Sequence, residues 1–250
     1  MRIHVVNPNT TASMTAKIAQ AARAAAASGT EIIAATSAEG PVSIEGYFDG
    51  AMSLPGLLAE INAAEQMGID AHVIACFDDT GLDAARSLAA APVIGIGEAA
   101  YHLAALISGQ FSVVTTLARS IPVLEQNLRR YGLASRCASV RAAGVPVLAL
   151  EDSGSGARER ISAEITAALD EDRAEAIVLG CAGMADLAAS LGAEHGIPVV
   201  EGVGAAVKLA ESLAGLGLRT SKRGGWAMPL AKHYVGRTPA FHSDGSAARV

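Results

Sequence analysis

The stretch His72-Val73-Ile74-Ala75-Cys76-Phe77-Asp78-Asp79-Thr80-Gly81-Leu82 begins as an apolar run without polar alternation and breaks, at a cysteine, into a polar turn. Unalternating apolar strands belong to parallel sheets covered by helices on both faces. A second stretch, Ile177-Val178-Leu179-Gly180-Cys181-Ala182-Gly183-Met184-Ala185-Asp186, repeats the arrangement. A shift of 105 takes Val73 to Val178, Cys76 to Cys181 and Leu82 to Leu187. A shift of 106 carries Pro92-Val93 onto Pro198-Val199 and Ala99-Ala100 onto Ala205-Ala206, and one of 108 carries Val5-Val6-Asn7 onto Val113-Val114-Thr115. Drifts of this size are what loop insertions produce, so the chain reads as two similar halves with Cys76 and Cys181 in equivalent places.

Working outward, eight short β-rich runs are expected at 3–6, 31–35, 72–76, 93–96, 111–115, 140–143, 176–180 and 198–200. Between them lie segments with helical spacing, such as Leu54, Leu57, Leu58, Ile61 and Ala64, or Ile161, Ile165, Ala168 and Leu169. Alternating β and α segments predict an α/β fold of two pseudo-symmetric lobes with mainly parallel sheets and a ligand site in the cleft between them. We expect lobe 1 to comprise residues 1–97 plus 204–220, the final helix (204–216) returning to it, and lobe 2 residues 98–203. We expect residues 221–250 to form a C-terminal extension with a mobile end.

Composition narrows the function. Of 250 residues, 51% are hydrophobic, and the mean hydropathy is +0.34, enough for a sizeable core. With 19 Lys+Arg against 25 Asp+Glu there is no basic excess to neutralise phosphates, which argues against a nucleic-acid partner. No apolar run approaches a membrane span, and the first residues do not resemble a secretory signal, so no membrane partner and a cytoplasmic location are expected. Three cysteines make no disulfide scaffold, and in a reducing compartment they are free thiols.

In each half the cysteine ends a strand and precedes a turn and helix, the place where parallel α/β sheets bind ligands and present free N–H groups. Such a setting is expected to lower the thiol pKa and supply thiolate. Filling a core is the ordinary fate of a lone buried cysteine; duplication at strand ends argues against it here. Inverting a carbon acid needs a base on one face and an acid on the other, and a thiolate–thiol pair across a cleft meets that need in both directions. A substrate whose carbanion is delocalised into a neighbouring carbonyl requires no electron-sink cofactor.

The segments Asn7-Pro8-Asn9-Thr10, Gly40-Pro41-Val42-Ser43-Ile44-Glu45-Gly46, Cys76-Phe77-Asp78-Asp79-Thr80-Gly81-Leu82 and Leu179-Gly180-Cys181-Ala182-Gly183-Met184 together resemble the hydantoin/allantoin racemase branch of the aspartate/glutamate racemase superfamily, over residues 1 to about 216. The resemblance implies a cofactor-independent two-cysteine racemase, a homo-oligomer, acting on 5-monosubstituted hydantoins or, as the alternative, allantoin. Aspartate and glutamate racemases commonly carry Asn-Thr just after the first cysteine; Phe77-Asp78-Asp79-Thr80 stands here, which argues against an amino-acid substrate. Resemblance and placement at strand ends together nominate Cys76 and Cys181 as acid and base. They also nominate Asn9, Thr10, Thr80, Thr115, Thr116 and the backbone at Ala182 and Gly183 as hydrogen-bond donors for enolate oxygen, with Val42, Ile44 and Phe77 as apolar wall.

Other readings are weaker. Gly95-Ile96-Gly97-Glu98-Ala99-Ala100 lacks the acidic partner of a dinucleotide site. The six histidines show no i, i+3 or i+4 pairing and no cysteine lies in a CxxC pair, so no metal site is expected. Glu98 and Glu201 are read as helix-capping groups rather than ligands, and Cys137, without a counterpart in the other half, as non-catalytic. A small-molecule binding protein is the rival from another class, but it has no need for duplicated thiols.

Overall fold

The computed structural model describes residues 1–234. The expected mobile end of the chain, its last ten residues, lies outside them.

Among the described residues eight strands and eight α-helices alternate. The first half holds β1 (Arg2–Asn7), α1 (Ala12–Ala25), β2 (Glu31–Thr36), α2 (Tyr47–Glu65), β3 (Ala71–Ile74), α3 (Leu82–Leu88), β4 (Val93–Gly95) and α4 (Ile96–Ile107). The second holds β5 (Phe111–Thr115), α5 (Ile121–Arg130), β6 (Cys137–Ala142), α6 (Ala157–Asp172), β7 (Ala176–Gly180), α7 (Ala188–His195), β8 (Val199–Glu201) and α8 (Gly202–Gly215). Each run expected from sequence forms a strand. Strand β6 starts earlier than expected because Cys137 and Ser139 pair with Phe111 and Ser112 across a register irregularity that skips Ala138, and small residues such as Ala and Ser carry little β signal. Strand β3 stops at Ile74, leaving Cys76 in the turn beyond.

Two four-stranded parallel sheets result, ordered β2-β1-β3-β4 and β6-β5-β7-β8. Their registers test the internal repeat. Val5 pairs with Val73 and Val113 with Val178, so the shifts of 108 and 105 describe one superposition. Ile94 pairs with Val73 and Val200 with Val178, and 94 and 200 differ by the third shift, 106.

One apolar cluster runs through both halves: Val5 and Val73 of one sheet and Val113 and Val178 of the other share it with Ala99, Ala100 and Tyr101 of α4 and Val203, Ala206 and Ala210 of α8. Helix α8 packs on α1, α4 and β3. Small residues let these helices lie close, and Gly202 sits where a Cβ would meet the Ile96 carbonyl oxygen at 2.6 Å. Among the described residues no helix is long and apolar enough to cross a membrane. Residues Thr220, Lys222 and Trp226 fasten the chain beyond α8 onto α3 and the loop after it, Thr220 Oγ1 donating to Ala91 O at 2.8 Å and Trp226 Nε1 to Asp83 at 3.2 Å.

Strands β1 and β3 also carry a buried polar pair. His4 Nδ1 and His72 Nδ1 lie 3.0 Å apart, and His72 Nε2 is 2.8 Å from Glu65 Oε1. One proton serves the two facing nitrogens, so a second has no acceptor there. Burial, with the neighbouring His72 adding to it, holds the His4 pKa down to about 3. The unfolded chain takes up a proton near pH 6.5 that the folded chain refuses, so this contribution to stability is intact above that pH and is lost as pH falls toward 3. The difference in unfolding free energy between wild type and His4→Gln should change by about 1.4 kcal/mol per pH unit across that window, wild type losing more; denaturant titrations at a series of pH values measure it.

Candidate active site

The carboxyl ends of both sheets open onto one small pocket. It is lined by Asn7, Pro8 and Asn9 after β1, Ile44 after β2, Ala75, Cys76, Phe77 and Asp78 after β3, Thr116 and Ser120 after β5, Val147 after β6, and Gly180, Cys181 and Ala182 at the end of β7, with Met14 of α1. Six strand ends therefore contribute, and the two equivalent cysteines share the cavity.

Several backbone devices hold the Cys76 turn. Asp79 adopts a left-handed conformation, φ 51°, and its buried carboxylate reaches the free N–H groups that open α4, accepting from Gly97 N at 2.9 Å and Glu98 N at 2.7 Å. Tyr131 Oη, just past α5, donates to the same carboxylate at 2.8 Å, and Asn127 Nδ2 of α5 donates to Asp78 O at 2.8 Å. Glycines 95 and 97 are required, since a Cβ at either would lie within 2.8 Å of the Asp79 carboxylate. The Cys181 turn is gripped from the other side: Lys17 Nζ of α1 donates to Gly183 O at 3.0 Å and Leu150 O at 3.3 Å.

The thiols depart from expectation. Burial raises the Cys76 thiol well above its usual range, with the Asp78 charge adding to the rise; Thr80 Oγ1, at 3.5 Å, and the Asp78 N–H pull it partly back. Burial also pushes Cys181 up, to about 11, with the Asp78 charge adding to the rise, while the Gly183 N–H and the Lys17 charge both lower it. The expected thiolates are therefore protonated at neutral pH, because desolvation outweighs the N–H groups of the turns. Each such thiol is a weak acid whose conjugate base is strong.

The other nominated residues divide. Asn9, Ile44, Thr116 and Ala182 line the pocket, and Gly183 supports Cys181 through its N–H. The Asn9 amide is directed by Asn7 and Thr11, and among the described residues its Nδ2 has only the Met14 sulfur, at 3.5 Å, as partner. Thr115 does not line the cavity; its hydroxyl is spent on Gly180 O at 3.0 Å. Thr10 is likewise diverted, both its N–H and its hydroxyl bonding Pro41 O, while Val42 lies on the surface at 59% exposure. Phe77 touches the pocket but commits its ring to the core, edge-on to Tyr101 with centroids 5.3 Å apart. Glu201 caps α8 through Val203 N and Gly204 N, as expected; Glu98 does not cap α4, whose opening N–H groups go to Asp79, and its carboxylate pairs with Arg86 instead. Sequence reasoning missed Asp78, Ser120, Val147 and Lys17. Of these Asp78 alone carried a legible signal, a second acid beside Asp79 in the cysteine turn. Its carboxyl meets no hydrogen-bond donor among the described residues, and burial pushes its pKa up to about 7.

Comparison with known proteins identifies the family. The family model described as Asp/Glu/Hydantoin racemase matches residues 3–210. A hydantoin racemase from Rhizobium meliloti is 50% identical over 236 residues, covering 94% of this chain and 98% of the relative. Another, from Pseudomonas sp. (strain NS671), is 45% identical over 241 residues, covering 96% and 97%. The solved structure of allantoin racemase from Klebsiella pneumoniae superposes with a TM-score of 0.95 at 50% identity, covering 97% of this chain and 99% of that one. The chain belongs to the Asp/Glu/Hydantoin racemase family, and as a racemase it is an isomerase.

Tyr131→Phe removes one donor from the buried Asp79 carboxylate without changing shape. It should lower unfolding free energy by about 1–3 kcal/mol in denaturant titrations, as expected for a buried acceptor deprived of a partner.

Proposed function

We propose that this enzyme racemises 5-monosubstituted hydantoins without a cofactor, Cys76 and Cys181 exchanging the roles of base and acid on opposite faces of C5. The observation that carries the reading is the convergence of two equivalent strand-end thiols on one pocket. One thiolate removes the C5 proton, the charge spreads to the adjacent carbonyl oxygen, and the opposite thiol returns a proton to the other face. The enolate oxygen needs donors that await it, and the Asn9 amide and the N–H groups after Cys181 stand at the cavity. Asp78, without a protein donor, is suited to a ring N–H. Ile44, Val147 and Met14 give the C5 substituent an apolar wall.

High thiol pKa values fit this chemistry, because a thiolate must be strongly basic to take a proton from carbon. They also set the pH dependence. Activity requires the pair to have lost one proton, so kcat/KM should rise about tenfold per pH unit between about pH 7 and 8.5. A flat profile would contradict thiol base catalysis.

Allantoin is the second reading, favoured by the 50% identity to the Klebsiella pneumoniae allantoin racemase over nearly the whole chain. Allantoin carries a polar substituent on the same ring carbon, so the apolar wall favours hydrocarbon substituents. Optical rotation against time for single enantiomers of alkyl and benzyl hydantoins and of allantoin, in deuterated buffer, separates the two. Cys76→Ser and Cys181→Ser should each abolish racemisation, with residual deuterium exchange into only one enantiomer; full activity in either variant would sink the two-base mechanism.

A further inference from the structure

The two thiols are equivalent in the fold but not in their electrostatic surroundings. Around Cys76 the charged group that bears on the thiol most is Asp78, two residues on, lining the same pocket; its own N–H bonds the Cys76 sulfur. Around Cys181 stands the ammonium of Lys17, 3.0 Å from the carbonyl of Gly183, whose N–H bonds the Cys181 sulfur. Lys17 reaches this place from α1 with its side chain only 24% exposed, and its ion pair with Asp186, at 3.1 Å, involves a carboxylate that is half in solvent. Glu45, fixed by the Val147 N–H at 2.7 Å, is the remaining charge that bears on Cys181, and Asp78 and Cys76 bear on it from across the cavity.

We propose that Lys17 and Asp78 polarise the thiol pair in opposite senses, so that the first proton lost by the free enzyme leaves Cys181 while Cys76 stays protonated as the acid. The inference rests on the two-cysteine reading above and deepens it by making Lys17 and Asp78 positioning residues for charge. A pair that shares one negative charge has two forms, Cys181 thiolate with Cys76 thiol and the reverse. A cation on one side and an anion on the other favour the first. Surroundings bear on the assignment: burial raises both thiols, Asp78 adds to the rise of each, most directly that of Cys76 two residues away, and Lys17 offsets part of the rise of Cys181 alone. Turnover from the favoured form moves a proton from carbon to Cys181 and one from Cys76 to carbon, leaving the reverse form; the starting form returns when Cys181 loses its proton and Cys76 regains one, through water or by turnover of the opposite enantiomer. Enantiomers have equal free energy, so kcat/KM must be the same in both directions and does not report this asymmetry. Direct titration of each thiol does.

The experiment is alkylation of the intact protein by iodoacetamide across a pH series, with the modification of Cys76, Cys137 and Cys181 quantified separately by peptide mass spectrometry. Cys181 should alkylate with a lower midpoint pH than Cys76. Lys17→Met should move the Cys181 midpoint up by about one pH unit, a tenfold fall in thiolate at fixed pH, and Lys17→Arg should restore it. Asp78→Asn should move the Cys76 midpoint down. Because Lys17 also binds the turn through Gly183 and Leu150, Asp186→Asn supplies a variant that keeps the lysine and frees its charge; it should lower the Cys181 midpoint. Coincident midpoints in the wild type, or a Cys181 midpoint indifferent to both Lys17→Met and Asp186→Asn, would overturn the proposal. Loss of the two-base reading would show differently, as racemisation surviving in Cys76→Ser or Cys181→Ser.

Discussion

The buried carboxylate of Asp79 fixes the place of the Cys76 turn. It satisfies the opening N–H groups of α4, which would otherwise be orphaned inside the core, and takes a third donor from Tyr131 in the other half of the chain. Burial opposes its charge and pushes its pKa up to about 7, so three donors are a requirement rather than a surplus. The grip is reciprocal. Helix α5, after the first strand of the second half, holds the Cys76 turn; helix α1, after the first strand of the first half, holds the Cys181 turn through Lys17. Equivalent helices thus clamp the equivalent turn of the opposite sheet, and the shared core of α4 and α8 keeps the halves in register. In the two-cysteine reading proposed above, a carbon acid must be met on two faces, which one strand-end turn does not do alone; two copies of the turn, pinned by each other's helices, would supply both.

Much of this was legible in the chain. Apolar strands written twice at a nearly constant shift determine two parallel sheets, and the observed registers close the three shifts on one another. The cysteines stood out because duplication is hard to explain by core filling. Binding residues were harder to read, since a strand end carries side chains pointing into the pocket and others pointing away. Thr115 and Thr116 are adjacent, and only Thr116 lines the cavity, while Thr115 bonds Gly180. Thr10 has the composition of a ligand donor, yet it tethers the loop at Pro41. Lys17 lies in an ordinary helical stretch, and only the packing of α1 on the Cys181 turn gives it a role.

The expected thiolates failed for a physical reason that the local sequence does not carry. N–H groups at a turn lower a thiol pKa when water still reaches the sulfur; here the pocket is formed by six strand ends and desolvation dominates. A protonated pair at rest is compatible with racemisation provided one proton can leave. It also protects strongly nucleophilic sulfur from oxidation between turnovers.

The account turns on one carbon lying between two sulfurs. A crystal structure with a slowly turned-over 5-substituted hydantoin in the pocket measures that directly. The account predicts C5 with Cys76 Sγ on one face and Cys181 Sγ on the other, each within about 3.5 Å. A ring bound with both sulfurs on the same face, or seated away from either cysteine, would contradict it.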